Sequence, residues 1–212
     1  MGFIKNLFGS KSQQPEPEPK VTTGLGRQLI ETSFGNRYLN QKPRCAGRSK
    51  IEGKHDFTGK IPPIEAWYVY DAGTSWQLVT VGMSDLYEKS NPNSSESGFG
   101  FELSIRVRKR GESMPPKWPI LATDRIASFA MQRKAIAPGV SFATGPIDGA
   151  QPDIAGFVAL VDPEFQVLNG PFGKVAIVLL VGLSQSELDG IRDGKSGPLI
   201  EQIAANPERW LS

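Results

Sequence analysis

Residues 97–107 read SGFGFELSIRV, and from Phe99 onward every second side chain is apolar. Alternation with a period of two places the apolar and polar side chains on opposite faces of a β-strand, whereas a helix would scatter them around its axis. The pattern therefore predicts a strand over Phe99–Arg108 with its apolar face on a hydrophobic core. Glu102 and Arg106 belong to the other set, and we expect them to face solvent or a partner.

Other segments with strand or helix signatures lie on both sides of this strand. Runs of apolar and β-branched residues predict further strands at 66–70, 76–82, 156–161 and 174–181. Helical spacing, a capping box at Ser184 and Glu187, and a proline in a first turn predict helices at 24–40, 119–133, after 184 and from 197 to 206. Because strands and helices interleave irregularly, we predict an α/β (α+β) fold, a mixed, largely antiparallel sheet flanked by helices.

Short motifs surround the strand in a definite order. WQLVTVGMSDLY occupies Trp76–Tyr87 and PPKWP occupies 115–119, while PFG and VGL follow at 171–173 and 181–183. In this order the motifs, together with SGFGFEL, closely resemble the Suppressor of fused domain family over roughly residues 61–212. The resemblance implies an α/β domain that binds other proteins and is not a catalyst.

The composition sets limits on the class of protein. The chain has 212 residues, with 24 basic and 22 acidic side chains and a net charge of +2, so no overall charge draws it to nucleic acid. Its single cysteine, Cys45, excludes an internal disulfide and argues for a reducing compartment. No apolar run reaches the eighteen or so residues of a membrane span. We expect a soluble, cytoplasmic protein.

The chain divides into three predicted parts. Residues 1–20 form an N-terminal tail and a Pro/Glu-rich linker, residues 21–60 a helix plus a basic loop packed on or leading into the domain, and residues 61–212 the Suppressor of fused-like domain. The basic stretch 41–60 has two interpretations, a patch that contacts phosphates or a solvated loop. We favour the loop, because no aromatic residues are interspersed among its basic ones.

The residues that catalysis or metal binding would require are few. His55 is the only histidine, and the segment Gly82–Leu86 lacks the closing glycine of a nucleophile elbow around Ser84. Cys45 and His55 alone cannot supply a metal site, and no phosphate-binding loop is present. The sequence predicts no catalytic residue, no cofactor and no metal; a pocket that gathered His55, Ser84 and Asp85 would instead favour a hydrolase.

Candidate protein-binding residues follow from exposure. Asp85 and Tyr87 come directly after a predicted strand, where binding loops are common, although Asp85 is equally suited to cap the turn and Tyr87 to pack on the sheet. We group them with Glu88 of the same loop and with three residues of the Phe99–Arg108 strand. The candidate set is Asp85, Tyr87, Glu88, Glu102, Arg106 and Arg108.

The resemblance implies two kinds of protein partner. Bacterial single-domain members of the family look like immunity proteins that neutralise a cognate toxin, which is the leading hypothesis, with specificity in the loops 41–60, 88–97 and 143–153. A regulator that sequesters a transcription factor or signalling protein is the alternative. Animal members bind a transcription factor, but Gln77-Leu78 and Glu88-Lys89 depart from their pattern, so that ligand is not transferred. We expect neither a small-molecule substrate nor nucleic acid, and the oligomeric state stays open.

Overall fold

The computed structural model describes residues 25–47, 64–84, 95–133, 136–151, 153–165, 167–170, 173–192 and 196–212. These residues contain eight β-strands and four α-helices. In chain order they are α1 (Leu25–Arg37), β1 (Arg44–Gly47), β2 (Ala66–Asp71), β3 (Ser75–Val81), β4 (Glu96–Arg108), α2 (Trp118–Arg133), β5 (Ser141–Ala143), β6 (Gly156–Val161), β7 (Val167–Gly170), β8 (Gly173–Leu183), α3 (Gln185–Gly190) and α4 (Ser196–Ala205). A 3-10 turn at Pro207–Trp210 follows.

All eight strands belong to one sheet. Its order is β1-β2-β3-β4-β8-β6-β5, and β7 pairs with the first half of β8. Every neighbouring pair is antiparallel except β4 and β8, which run parallel. The predicted mixed, largely antiparallel sheet flanked by helices is therefore confirmed.

Strand β4, which contains the SGFGFELSIRV stretch, lies at the centre of this sheet. β4 pairs with β3 on one side, where Ile105 lies opposite Leu78, and with β8 on the other, where Leu103 lies opposite Val178. Its apolar side chains form a core with α2, which contributes Trp118 and residues one turn apart along the helix. This half of the alternation was predicted correctly, because those side chains are at most about one-twentieth exposed from Phe101 to Val107.

The second face of the sheet is also covered. Helix α1 packs over β2, β3 and β8 through Ile30 and Phe34, and Phe165 stacks on Phe34. Helices α3 and α4 cover β6 and the second half of β8 through Leu188 and Ile203. The domain therefore has three layers, with helices on both faces of the sheet.

Because of this second layer, the predicted exposure of two site residues is wrong. Glu102 is fully buried and Arg106 is only 5% exposed. The alternation correctly separated two faces, but the polar face of β4 is turned toward a helical layer and not toward water. A buried polar side chain needs hydrogen-bond partners, and both residues have them.

The predicted helix boundaries are largely confirmed. Ser184 is the N-cap of α3, its hydroxyl accepts from the Glu187 N–H, and the Glu187 carboxylate accepts from the Ser184 N–H. Helix α4 ends before Asn206, whose side chain caps the 3-10 turn that begins at Pro207. The spacing of Ser184 and Glu187 is therefore sufficient to locate the start of α3, and Pro198 and Pro207 are sufficient to locate the two ends of α4.

The predicted loop over residues 41–60 is wrong at β1. Arg44–Gly47 form a strand because they pair with β2, and the Gln41 amide extends this pairing by bonding both backbone groups of Asp71. The four residues of β1 are largely exposed, so they show no alternation of apolar and polar side chains from which a strand could be predicted. Residues 48–60 of that stretch, including His55, lie outside the described residues.

Gly156 provides a direct test of the packing between β5 and β6. A Cβ atom at this position would lie 2.3 Å from the Phe142 carbonyl oxygen and 2.9 Å from Leu188, inside contact distance for both. We expect Gly156→Ala to lower the free energy of unfolding by roughly 1–3 kcal/mol, because backbone atoms must move to make room. Chemical denaturation provides the measurement.

Gly190→Ala, at the end of α3, is the matched control for Gly156→Ala. The Cβ atom at position 190 would meet nothing within 4 Å. Its unfolding free energy should change by less than about 1 kcal/mol. Equal losses in the two variants would contradict the close packing described for Gly156.

Candidate functional site

Two motifs that are separate in sequence meet at one end of the sheet. The register of β4 against β8 shifts between Glu96 and Phe101, so the residues between them form a bulge. The Phe99 N–H of this bulge donates to the Met83 carbonyl at 2.8 Å, and the Ser97 hydroxyl donates to the Ser84 carbonyl at 2.8 Å. The bulge therefore supports the Gly82–Ser84 turn that follows β3.

A buried carboxylate holds the same turn from inside the protein. Glu102 accepts hydrogen bonds from the Thr80 hydroxyl at 2.6 Å, the Gly82 N–H at 3.0 Å, the Ser84 N–H at 2.8 Å and the Ser84 hydroxyl at 2.7 Å. We call this arrangement of Glu102 with Thr80, Gly82 and Ser84 the Glu102 clamp. It joins the centre of β4 to the point where the chain leaves β3.

The donors of the Glu102 clamp are all uncharged groups. Burial is the largest effect on the carboxyl and raises its pKa to about 7, from an ordinary value of 4.5, while the hydrogen bonds from Thr80, Ser84 and Gly82 lower the pKa in part. The sign follows because burial disfavours the charged form of an acid. Burial and hydrogen bonding therefore act on the pKa of the Glu102 carboxyl in opposite directions.

Three candidate binding residues follow the clamp directly in the chain. Asp85, Tyr87 and Glu88 lie outside the described residues, which stop at Ser84 and resume at Ser95. Their role in binding therefore stays a prediction. The structure does show the base of their segment, where the Glu102 clamp and the β4 bulge fix the last residues of the turn.

A second polar cluster lies further along the same face of β4. Arg106 donates through Nε to the Gln77 side-chain oxygen at 2.8 Å and through Nη2 to Asp162 Oδ1 at 2.7 Å. The Ser104 hydroxyl donates to the other oxygen of Asp162 at 2.9 Å, and the Tyr38 hydroxyl lies 3.4 Å from the Gln77 oxygen. The cluster joins β3, β4, α1 and the end of β6.

This cluster has a structural role that sequence patterns did not reveal. Asp162 is fully buried, and its oxygens are shared between Arg106, Ser104 and a backbone N–H. The Trp210 ring covers the guanidinium at 5.3 Å. Gln77 is one of three polar residues in β3, and its position in the sequence gives no indication that its partner Arg106 lies 29 residues away.

The last candidate, Arg108, is half exposed at the far end of β4. Its guanidinium forms an ion pair with Glu208 at 2.6 Å. Arg108 lies six positions beyond Glu102, a distance of about 20 Å along an extended strand. The structure therefore does not bring the described candidates into one surface, because two are buried and Arg108 lies at the opposite end of the strand from the Gly82–Ser84 turn.

The described residues also bear on the hydrolase alternative. Ser84 is only 1% exposed and its hydroxyl donates to Glu102, so it is not presented to a substrate. Its two predicted companions, His55 and Asp85, lie outside the described residues. In the described part of the chain, no group of three His, Cys, Asp or Glu side chains is placed to hold a metal ion, and no helix is long and apolar enough to cross a membrane.

A family model places the chain among known proteins. The model described as Suppressor of fused protein (SUFU) matches residues 63–211, which include β2 to β8, the Glu102 clamp and the Arg106 cluster. The chain therefore belongs to the Suppressor of fused family, as its motifs indicated.

Relatives and solved structures agree with this assignment. The Suppressor of fused homologs of Homo sapiens and Mus musculus are each 29% identical over 145 residues, covering 62% of this chain and 29% of theirs. The chain thus spans less than a third of the curated relatives it matches. A Sufu–Fu complex structure matches with a TM-score of 0.67 at 21% identity, covering 81% of this chain and 80% of that one. The crystal structure of Drosophila Suppressor of Fused matches with a TM-score of 0.64 at 22% identity, covering 78% of this chain and 43% of that one.

The structure predicts that the buried Arg106–Asp162 ion pair contributes much more to stability than the half-exposed Arg108–Glu208 ion pair. Asp162→Ala would remove the nearer and fully buried carboxylate of the Arg106 guanidinium and leave only Glu164 Oε2 at 3.6 Å. We expect a loss of about 3 kcal/mol in unfolding free energy. Arg108→Ala removes only a half-exposed ion pair and should cost less than about 1 kcal/mol. Urea titration of both variants at neutral pH provides the measurement, and similar losses would contradict a buried structural role for the cluster.

Proposed function

We propose that this chain is a non-catalytic protein-binding module that neutralises a cognate protein toxin by binding it. The binding segment is the loop that follows Ser84, with Asp85, Tyr87 and Glu88 as its contact residues. The observation that carries the proposal is the Glu102 clamp, which fixes the start of this loop from within the sheet. Binding loops on rigid scaffolds lose less conformational freedom when a partner docks.

The residue types in the loop suit a protein contact. A tyrosine gives a large, rigid contact area with one polar end, and tyrosines are enriched among the residues that dominate interface energies. Asp85 and Glu88 flank Tyr87 with negative charge. Such a charged rim favours a partner with a basic surface and raises its association rate. We therefore propose a basic toxin surface that receives Tyr87 at the centre of the contact.

A regulator that sequesters a signalling partner is the second candidate. One relative of the same fold was solved as the Sufu–Fu complex, so protein binding occurs within this family. Sequestration and toxin neutralisation require the same kind of complementary surface and differ only in the partner. We propose that the protein meets its partner in the cytoplasm.

Arg108 is proposed as a separate contact. It lies at the other end of β4, and its side chain is half exposed although it pairs with Glu208, so a partner can still contact it. A partner that reached both Arg108 and the loop would have to cover most of the length of the strand. We therefore assign Arg108 a contribution independent of the loop residues.

The proposal predicts loss of a specific partner when the loop is changed. The combined variant Asp85→Ala, Tyr87→Ala and Glu88→Ala should bind the captured partner at least about 30-fold more weakly, because an interface tyrosine alone often contributes 2 kcal/mol or more. The matched control is Glu201→Ala with Gln202→Ala, two exposed positions on α4. Affinity capture from lysate of the source organism, followed by titration with the purified partner, provides the measurement.

The identity of the captured protein separates the two candidate functions. A toxin that loses its activity when mixed with this chain at equal molar amounts supports neutralisation. A transcription factor or signalling protein bound through the same loop supports sequestration. Equal binding by the loop variant and the α4 control would overturn the loop as the binding segment, and turnover of a substrate by the chain would overturn the non-catalytic assignment.

A further inference from the structure

The two central strands of the sheet separate before either of them ends. The pairing of β4 with β8 stops at Ile105 and Leu180. Beyond that point β4 continues along β3 to Arg108, and β8 continues along β6 to Leu183. A gap therefore opens between two strands that are each paired on their outer side. We call it the strand gap.

Leu211 and Ser212 occupy the strand gap in an extended conformation. Leu211 forms a parallel bridge with Arg106. The Ser212 N–H donates to the Arg106 carbonyl at 2.8 Å, and the Ser212 carbonyl accepts from the Arg108 N–H at 3.4 Å. On the other side of the gap, the Gly182 N–H donates to the Ser212 hydroxyl at 3.0 Å. The two residues thus join β4 to β8 as a short inserted strand.

Gly182 is the central residue of the VGL motif, and it leaves room for this contact. A Cβ atom at position 182 would lie 3.2 Å from the Ser212 hydroxyl oxygen and 3.2 Å from Ile154 Cδ1. Ser212 itself is only 5% exposed. The strand gap therefore accepts a small residue, and it provides a backbone donor for a hydroxyl group.

The segment that leads into the strand gap is held by ion pairs at the surface. Glu208 pairs with Arg108 at 2.6 Å, and Arg209 pairs with Glu187 at 2.6 Å. These four side chains are between 24% and 76% exposed, so each pair contributes little to stability. Because β4 keeps its pairing with β3 and β8 keeps its pairing with β6, the segment can leave the gap without unfolding the sheet.

Trp210 is the largest side chain of this segment and is only partly buried. Its ring lies over the Arg106 guanidinium at 5.3 Å, and its N–H donates to the Ile203 carbonyl at 3.1 Å. Arg106 is bound to Gln77 and Asp162 independently of the ring. Departure of Trp210 would therefore leave the buried guanidinium with its carboxylate partner.

We propose that the strand gap is a binding site for an extended segment of a partner protein, which takes the place of residues 207–212. The chain's own segment defines the chemistry of that partner. It carries an acidic residue for Arg108, an aromatic ring for Arg106, and then an apolar residue and a small hydroxyl residue beside Gly182. Main-chain hydrogen bonds supply affinity for such an extended peptide, and the side chains select it.

The strand gap is distinct from the loop proposed above as the binding segment. It lies at the opposite end of β4 from the Gly82–Ser84 turn, and it supplies a ligand for the separate contact assigned to Arg108. Its use by a partner rests on the proposed protein-binding function. Displacement of residues 207–212 is a property of this chain alone and can be measured without a partner.

The test adds an unlabelled peptide of residues 206–212, NPERWLS, to the isotope-labelled full chain and follows the amides by NMR. At millimolar peptide, the Leu211 and Ser212 amides of the chain should move to the positions of an unstructured segment. The Ile177 amide, in the part of β8 that pairs with β4, is the internal reference and should not move.

The combined variant Glu208→Ala and Arg209→Ala weakens the chain's own segment without altering the strand gap. The peptide concentration needed for half displacement should fall by roughly three- to thirtyfold, because two surface ion pairs no longer favour the bound segment. No displacement by millimolar peptide in this variant would overturn the proposal.

The matched control is the same peptide with Ser212→Pro. Proline removes the N–H that donates to the Arg106 carbonyl and the hydroxyl that accepts from Gly182. This peptide should displace nothing. Equal displacement by the two peptides would also overturn the proposal, because the contacts in the strand gap would then not decide binding.

Hydrogen exchange in the wild-type chain tests the same site if the double variant does not fold. After correction for intrinsic rates, the Ser212 amide should exchange at least about a hundredfold faster than the Ile105 amide, since the segment opens locally and the centre of β4 does not. Equal protection would show that the segment leaves only when the sheet unfolds, and a partner could then not replace it.

The captured partner separates this site from the proposed loop. NPERWLS should release the partner from the wild-type chain, and the Ser212→Pro peptide should not. Unchanged retention of the partner, or a concentration-dependent dimer formed by exchange of residues 207–212, would overturn the partner assignment.

The two proposals can fail separately. If the peptide displaces the segment but the loop variant still binds the partner, the strand gap stands and the binding loop is wrong. If the loop variant loses the partner but the peptide displaces nothing, the proposed function stands and the strand gap is wrong.

Discussion

The burial of polar side chains on β4 is the constraint on which the rest of the domain depends. Glu102, Ser104 and Arg106 point into the layer between the sheet and its helices. Each must find partners there, because an unpaired polar group in the interior costs free energy comparable to a lost hydrogen bond. The partners come from β3, from the turn after it and from the end of β6. A shift of β4 by one residue would separate all of them at once, so the polar face specifies the register of the central strands.

The parts of the fold that could be predicted were those with a local signal. Alternation located β4, a capping box located the start of α3, and Pro207 located the end of α4. The short strand β1 has no such signal, because it exists through its pairing with β2. The exposure of Glu102 and Arg106 was predicted wrongly for a related reason. Alternation reports the polarity of side chains, whereas burial depends on which distant helices cover the second face.

The candidate site shows the same limit on a smaller scale. The structure brings the motifs around Ser84 and Phe99 into contact, which the sequence did not predict. The alternation predicts an exposed Glu102 that faces solvent or a partner, whereas the structure buries it in support of the Gly82–Ser84 turn. Asp162 was missed, because it follows β6 and meets Arg106 only after the chain has crossed the sheet. Partners 56 residues apart leave no periodic pattern in a single sequence.

The two ends of β4 differ in the kind of partner that stabilises their buried polar side chains. At the Arg106 end, the guanidinium pairs with Asp162, and the backbone of Ser212 bonds that of Arg106 and of Arg108. At the Glu102 end, the buried charge has only neutral donors, and the turn that supplies them leads into the candidate binding loop. Asp162 gives Arg106 an opposite charge, whereas Glu102 is stabilised by neutral hydroxyl and backbone N–H donors alone. Because those donors lie on β3 and on the turn after it, their hydrogen bonds join the end of β3 to β4 without an ion pair.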